Sequence, residues 1–157
     1  MKIFILLISL LLGSSCMYSQ NCKYAINDID MFTGKMTKLT KEKKFIETFD
    51  SEGHIALQKA DTTFTLILSY RTSFSKKATV KDGAELSFLL EDGKIITLIK
   101  ASGNYSVSSG QLKTLMTNKT KTLRYYYTNQ GDVYKFVDIE IKKSNAEALM
   151  DLIKCVL

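Results

Sequence analysis

Three cysteines, one histidine and a few charged pairs are the side chains with the chemistry to do more than pack. The cysteines are Cys16, Cys22 and Cys155, and the histidine is His54. A catalytic thiolate needs a base beside it and a redox dithiol needs a C-x-x-C spacing; the chain has one imidazole and no such pair. Metal centres need His, Cys or carboxylate clusters at ligand spacing. His54, between Gly53 and Ile55, is read instead as a solvent-edge strand residue. Hydrolytic triads need a His base near a Ser or Cys, and no serine stands in a G-x-S-x-G elbow. Gly34-Lys35 runs into Met36 without a phosphate-loop frame and reads as a turn. Asp28, Asp30 and the Glu91-Asp92 pair are placed in turns or loops; the first two lack the D-x-D-x-D-G frame of a calcium loop. The expectation is no catalytic residue, no metal ligand and no cofactor.

The cysteines are better explained by compartment. Residues 1–19 carry Lys2, an apolar run from Ile3 to Leu12 and a small-residue exit through Gly13, Ser14 and Ser15, the three parts of an export signal. The run is shorter than the roughly 20 apolar residues a membrane span needs. Two cuts fit: signal peptidase cleavage after Ser19, or lipoprotein processing that leaves Cys16 as an acylated first residue. Leu12 stands one place early for the second. Either cut accounts for Cys16 and takes the formal charge from +6 to +5 with the loss of Lys2. Cys22 and Cys155 remain. In an oxidising compartment they form a natural disulfide; the alternative is two unpaired structural thiols.

The elements that must position these residues follow from periodicity. Hydrophobic residues at 45% and charged ones at 24% are ordinary for a globular chain, and residues 20–157 are expected to form one β-rich domain. Strand runs are Phe45–Phe49, His54–Lys59 and Thr62–Arg71, the last with Phe64, Leu66, Leu68 and Tyr70 on one face. Ala84–Leu90 and Ile95–Lys100 flank an Asp92-Gly93 turn, the strongest short-range hairpin signal. Thr122–Thr128 and Val133–Ile141 flank Asn129–Asp132, with Val133, Lys135, Val137, Ile139 and Ile141 on one face. Helices are expected over Ser108–Thr117 and near the C-terminus. There Ser144 and Glu147 make an S-x-x-E capping box before a stripe of Ala148, Leu149, Leu152, Ile153 and Val156. The fold class is α+β: an antiparallel sheet with a C-terminal helix packed on one face.

Charge and aromatics bear on partners. Lys35, Lys38, Lys41, Lys43 and Lys44 cluster, partly offset by Glu42 and Glu47. Arg124-Tyr125-Tyr126-Tyr127 interleaves a cation with rings, as stacking surfaces do. In a strand, though, Tyr125 and Tyr127 face away from Tyr126, so the three make core and rim rather than one platform. No nucleic acid is expected. The positive charge suits solubility and attraction to acidic glycans or anionic lipid heads.

Asn21-Cys22-Lys23-Tyr24, the stretch Asn27 to Lys35 (NDIDMFTGK) and the late Asn145-Ala146-Glu147…Leu152…Cys155 pattern resemble small exported proteins of Bacteroidetes-type bacteria, of signal-peptide or lipoprotein type. The resemblance implies export and the Cys22–Cys155 pairing and brings no catalytic residues. The expected role is a non-catalytic cell-envelope domain, periplasmic or secreted, binding a protein, lipid or acidic glycan through its sheet. Membrane attachment, in the outer membrane, is expected only if Cys16 is acylated. The alternatives are a carboxylate- or Lys-dependent hydrolase of unfamiliar type, and an inhibitor-like protein presenting Tyr105–Gly110 as a loop.

Overall fold

The structure, a computed structural model, describes residues 22–49, 51–72, 82–128 and 134–157. Its strands are β1 (Tyr24–Ile29), β2 (Met36–Thr40), β3 (Lys43–Glu47), β4 (Ser51–Ala60), β5 (Thr63–Thr72), β6 (Glu85–Leu90), β7 (Ile95–Ala101), β8 (Asn104–Val107), β9 (Thr120–Thr128) and β10 (Tyr134–Glu140). The helices are α1 (Ser109–Thr117) and α2 (Lys143–Val156). All strand pairs are antiparallel in one open sheet of order β1-β2-β4-β5-β8-β7-β6-β9-β10, with β3 also on β4. This is the expected α+β architecture. The leader with Cys16, the Asn129–Asp132 connection and Val133 lie outside the described residues.

Local chemistry explains most of the pairing. β4 and β5 pair along their full lengths, from Ser51 opposite Thr72 to Ala60 opposite Thr63. Their inward positions bury Ile55, Leu57, Leu66 and Tyr70, with Phe64 and Leu68 packed against that core. In β3 the register shifts between Lys44 and Ile46, so Phe45 is a bulge and both Phe45 and Ile46 turn inward. Gly53 sits opposite Ile46, and a Cβ there would stand 2.9 Å from Ile46 Cδ1, so the missing side chain makes room for the isoleucine. The strand stops at Glu47, two residues short of the expected run, and Phe49 is exposed. The β6–β7 hairpin closes as expected: Leu90 donates its N–H to the Lys94 carbonyl, and Asp92 Oδ1 accepts from the Lys94 N–H.

The sheet curls around α2. Phe45 of β3 meets Phe88 of β6 at 6.3 Å between ring centroids, and Tyr70 of β5 meets Tyr125 of β9 at 5.0 Å. Helix α2 buries Ala146, Leu149, Leu152, Ile153 and Val156 against α1, β2, β3, β4 and the edge of β9; Ala146 rather than Ala148 opens the buried stripe. Its expected Ser144–Glu147 capping box does not form. The helix begins two residues earlier, with Lys142 at the cap and no side-chain cap bond, and Glu147 pairs with Lys119 at 2.9 Å. A long-range ion pair has taken the carboxylate. The box occurs instead on α1, where Ser108 Oγ accepts from the Gln111 N–H and Gln111 Oε1 accepts from the Ser108 N–H.

Both chain ends are tied at one corner. Cys22 and Cys155 form the disulfide, with their Cα atoms 5.7 Å apart, and the Tyr24 hydroxyl donates to the Cys155 carbonyl at 2.8 Å. Three departures from the sequence reading concern short, largely polar segments, and one of them is β2, Met36–Thr40. Residues 24–29, with Asp28, are strand β1 rather than loop, paired with β2. Residues 104–107 are strand β8 between β5 and β7, so the segment offered as a free inhibitory loop is built into the sheet, with Tyr105 and Val107 buried.

Candidate functional site

The face of β7, β6, β9 and β10 that points away from the core is uncovered, and the register builds it row by row. Leu86, Phe88, Leu90, Ile96, Leu98, Leu123, Tyr125 and Ile139 are buried inward; alternation therefore turns the residues between them outward. One row runs Ile95–Leu89–Thr122–Glu140 and the next Thr97–Ser87–Arg124–Asp138. A third brings Ile99 opposite Glu85 and Tyr126 opposite Phe136. Two rows that each combine apolar side chains with a glutamate thus flank a polar one.

The polar row is internally bonded. Ser87 and Thr97 share a hydroxyl hydrogen bond of 3.0 Å. Arg124 grips Asp138 with both arms, Nε to Oδ1 at 2.6 Å and a terminal nitrogen to Oδ2 at 2.7 Å, the bidentate fork that Arg and carboxylate geometry favours. This bond holds the Asp138 carboxyl below its ordinary range and raises Arg124 further above its own. The guanidinium also lies 4.6 Å from the Phe136 ring centre, and Tyr126 packs on that ring at 5.9 Å. Together Glu85, Ser87, Leu89, Ile95, Thr122, Arg124, Tyr126 and Asp138 line a groove of about 340 Å³. Its apolar margin is conspicuous for a water-facing surface: Ile95 is 67% exposed, Ile99 58% and Phe136 56%.

Chemically the groove offers shape, rings and paired polar groups. Its one guanidinium is neutralised, and an Asp held low by an Arg is a poor proton acceptor near neutral pH. Buried titratable groups lie on the other side. Burial pushes the Tyr105 phenol up to about 12, and its hydroxyl has no hydrogen-bond partner among the described residues. Tyr125 is raised by burial first, then by its neighbours Tyr105 and Tyr70.

The residues singled out in the sequence are scattered. His54 is on β4, half-exposed, with Nε2 3.7 Å from Glu52 Oε1. Glu91-Asp92 lies in the β6–β7 turn, with Asp92 bound to Lys94. Asp28 is on β1, and Asp30 and Gly34-Lys35 form the β1–β2 turn. Among the described residues no group of three or more His, Cys, Asp or Glu is placed to hold a metal ion, and no helix is long and apolar enough to cross a membrane. Of the Arg-Tyr-Tyr-Tyr run, Arg124 and Tyr126 face the groove and Tyr125 faces the core; the Tyr127 side chain lies outside the described residues. Sequence reasoning missed Glu85, Ser87, Leu89, Ile95 and Asp138. Their signal is the alternation inside each strand, which needs the register before the outward positions line up. The chain matches no family model, no curated protein and no solved structure.

Proposed function

We propose that this protein is an exported, non-catalytic domain of the cell envelope that binds another envelope protein through the outer face of β7, β6, β9 and β10. The observation that carries the reading is the groove with three exposed apolar side chains, Ile95, Ile99 and Phe136, around a neutralised Arg124–Asp138 pair. Protein interfaces are enriched in aromatic residues and Arg at their centre and depleted in Lys. In these rows the only cation among the described residues is Arg124, against Glu85, Asp138 and Glu140, although the whole chain is formally +6. An acidic, apolar patch on a basic protein repels anionic glycans and lipid heads and suits a protein surface with apolar side chains and a basic rim. The face also ends at β10, whose only sheet partner among the described residues is β9.

Export rests on the leader, on the likeness to small exported Bacteroidetes-type proteins and on the disulfide, a bond that persists in oxidising compartments. Intact mass of the protein from its host reads the cut and any acylation of Cys16. For the binding face, a photo-crosslinker placed at Ile99 in intact cells is expected to give a discrete adduct with one protein. The adduct should be absent from a crosslinker at the exposed Lys113 of α1 and lost with Ile95→Asp. Equal labelling from both positions, or none from Ile99, refutes the reading.

A further inference from the structure

At the opposite end of the strand order, the β1–β2 hairpin carries a separate surface. Its turn is tightly braced. Asp30 Oδ1 accepts from the Phe32 N–H at 2.8 Å and the Thr33 N–H at 3.0 Å. The Asp30 carbonyl accepts from Gly34 at 2.7 Å, and the Asp30 N–H donates to the Lys35 carbonyl at 2.9 Å. Gly34, at φ +68°, takes the left-handed conformation that closes the turn. This frame holds Met31 and Phe32 out into solvent, 94% and 100% exposed. Ile29 and Met36, directly opposite each other, are exposed just behind them.

Charge follows in order. Lys35 sits at the turn, and one step back on the Ile29–Met36 face Lys38 pairs with Lys59 of β4. The Lys38 ammonium lies 5.9 Å from the Tyr24 ring centre and that of Lys59 5.2 Å from Phe64. Between residues 23 and 44 the chain has six lysines and three acids. Two of these acids, Asp28 and Asp30, are bound to backbone N–H groups. Two strand residues span about 7 Å, so a bulky apolar tip is followed by ammonium groups about one headgroup depth behind it. A membrane interface has that layering: apolar side chains settle about 5–10 Å into the headgroup and acyl boundary, and lysines reach the phosphates.

We propose that the β1–β2 hairpin tip inserts Met31 and Phe32 into the headgroup layer of an anionic bilayer, with Lys35, Lys38 and Lys59 on its phosphates. Cys22 and, before it in sequence, the candidate acylation site Cys16 lead into Tyr24 at the open end of the hairpin, away from this tip. The contact is made by the tip and does not need acylation of Cys16. The inference is independent of the partner-binding face on β7 to β10.

The test uses the absence of tryptophan from the chain. Phe32→Trp puts a single reporter at the tip of the full, host-processed, disulfide-bonded protein, and Phe49→Trp puts one on an exposed site at the far end of β4. With vesicles of phosphatidylcholine and phosphatidylglycerol, the tip reporter is expected to shift to the blue and gain protection from iodide, and the Phe49→Trp reporter to do neither. Adding Met31→Ser should weaken the response about tenfold, and Lys38→Gln about fivefold. Because the signal comes from the tip itself, an acyl chain on Cys16 cannot imitate it. A tip reporter unmoved by anionic vesicles, one that shifts equally with phosphatidylcholine alone, or a Phe49→Trp signal that moves just as far, overturns the proposal.

Discussion

Replacing both Cys22 and Cys155 with serine removes the one covalent tie between the chain's two ends, and its cost can be worked from the structure. The bond joins residues separated by 133 positions. In the chain-entropy account, opening a loop of that length releases about 5 kcal/mol of restriction from the unfolded state. For a domain of this size each kcal/mol moves the midpoint by about 3 °C, so a fall of about 15 °C is expected. The native contacts beside the bond are expected to persist in the variant, because the Tyr24 hydroxyl bond to the Cys155 carbonyl and the β1–β2 pairing do not use the sulfurs. The effect therefore belongs to the unfolded chain. Urea unfolding of oxidised wild type and double variant, read by circular dichroism, separates the two quantities that matter. The variant's midpoint should fall, and its m value should rise, because an unlinked chain exposes more surface when it unfolds. A loss below about 2 kcal/mol refutes the loop-entropy reasoning. A large loss at unchanged m relocates the effect to the folded state.

Three further outcomes follow from packing and charge. Gly53→Ala drives a Cβ to 2.9 Å from Ile46 Cδ1 and 3.0 Å from Ile46 Cβ; a destabilisation of about 1–3 kcal/mol is expected, much smaller in an Ile46→Ala background, and additivity of the two changes in chemical denaturation would contradict the close approach. Ser108→Ala should cost about 1 kcal/mol by removing the α1 cap and Ser144→Ala less than about 0.5, so equal costs would mean that the α2 box forms after all. Arg124→Gln tests the pair in the groove. Arg124 depresses the Asp138 carboxyl, so its stabilisation is present above the ordinary carboxylate range and is lost as pH falls through the depressed value. The gap between wild type and variant in urea midpoint should be small, since the pair is solvent-exposed, and should close on acidification; a gap that widens in acid contradicts the assignment.

The alternation of Phe64, Leu66, Leu68 and Tyr70, and of Val137, Ile139 and Ile141, marked the inward faces of β5 and β10 from the sequence alone, because side-chain direction in a strand follows parity. Asp92-Gly93 marked its hairpin because a tight turn is a local conformational demand. The Cys22–Cys155 disulfide is the pairing expected once Cys16 is set aside with the leader. Strands β1, β2 and β8 escaped notice because YAINDI, MTKLT and NYSV are short and largely polar, so their strand state depends on partners rather than on their own pattern. The Ser144–Glu147 box failed for a related reason. Its two residues suit a cap in isolation, but Lys119, 28 residues earlier, comes within 2.9 Å of Glu147 in the fold.

The candidate surfaces divide along the same line. Parity gives each strand two faces, and sequence could place Arg124 with Tyr126 against Tyr125. Which face is covered depends on where α2 packs, and which side chains meet across strands depends on register. Only the tertiary structure put Ser87, Arg124 and Asp138 in one row, left Ile95, Ile99 and Phe136 in water, and carried Met31 and Phe32 to the tip of a braced hairpin. Local sequence sets what a segment can present; long-range packing decides what remains uncovered, because burial is a property of neighbours the segment cannot encode.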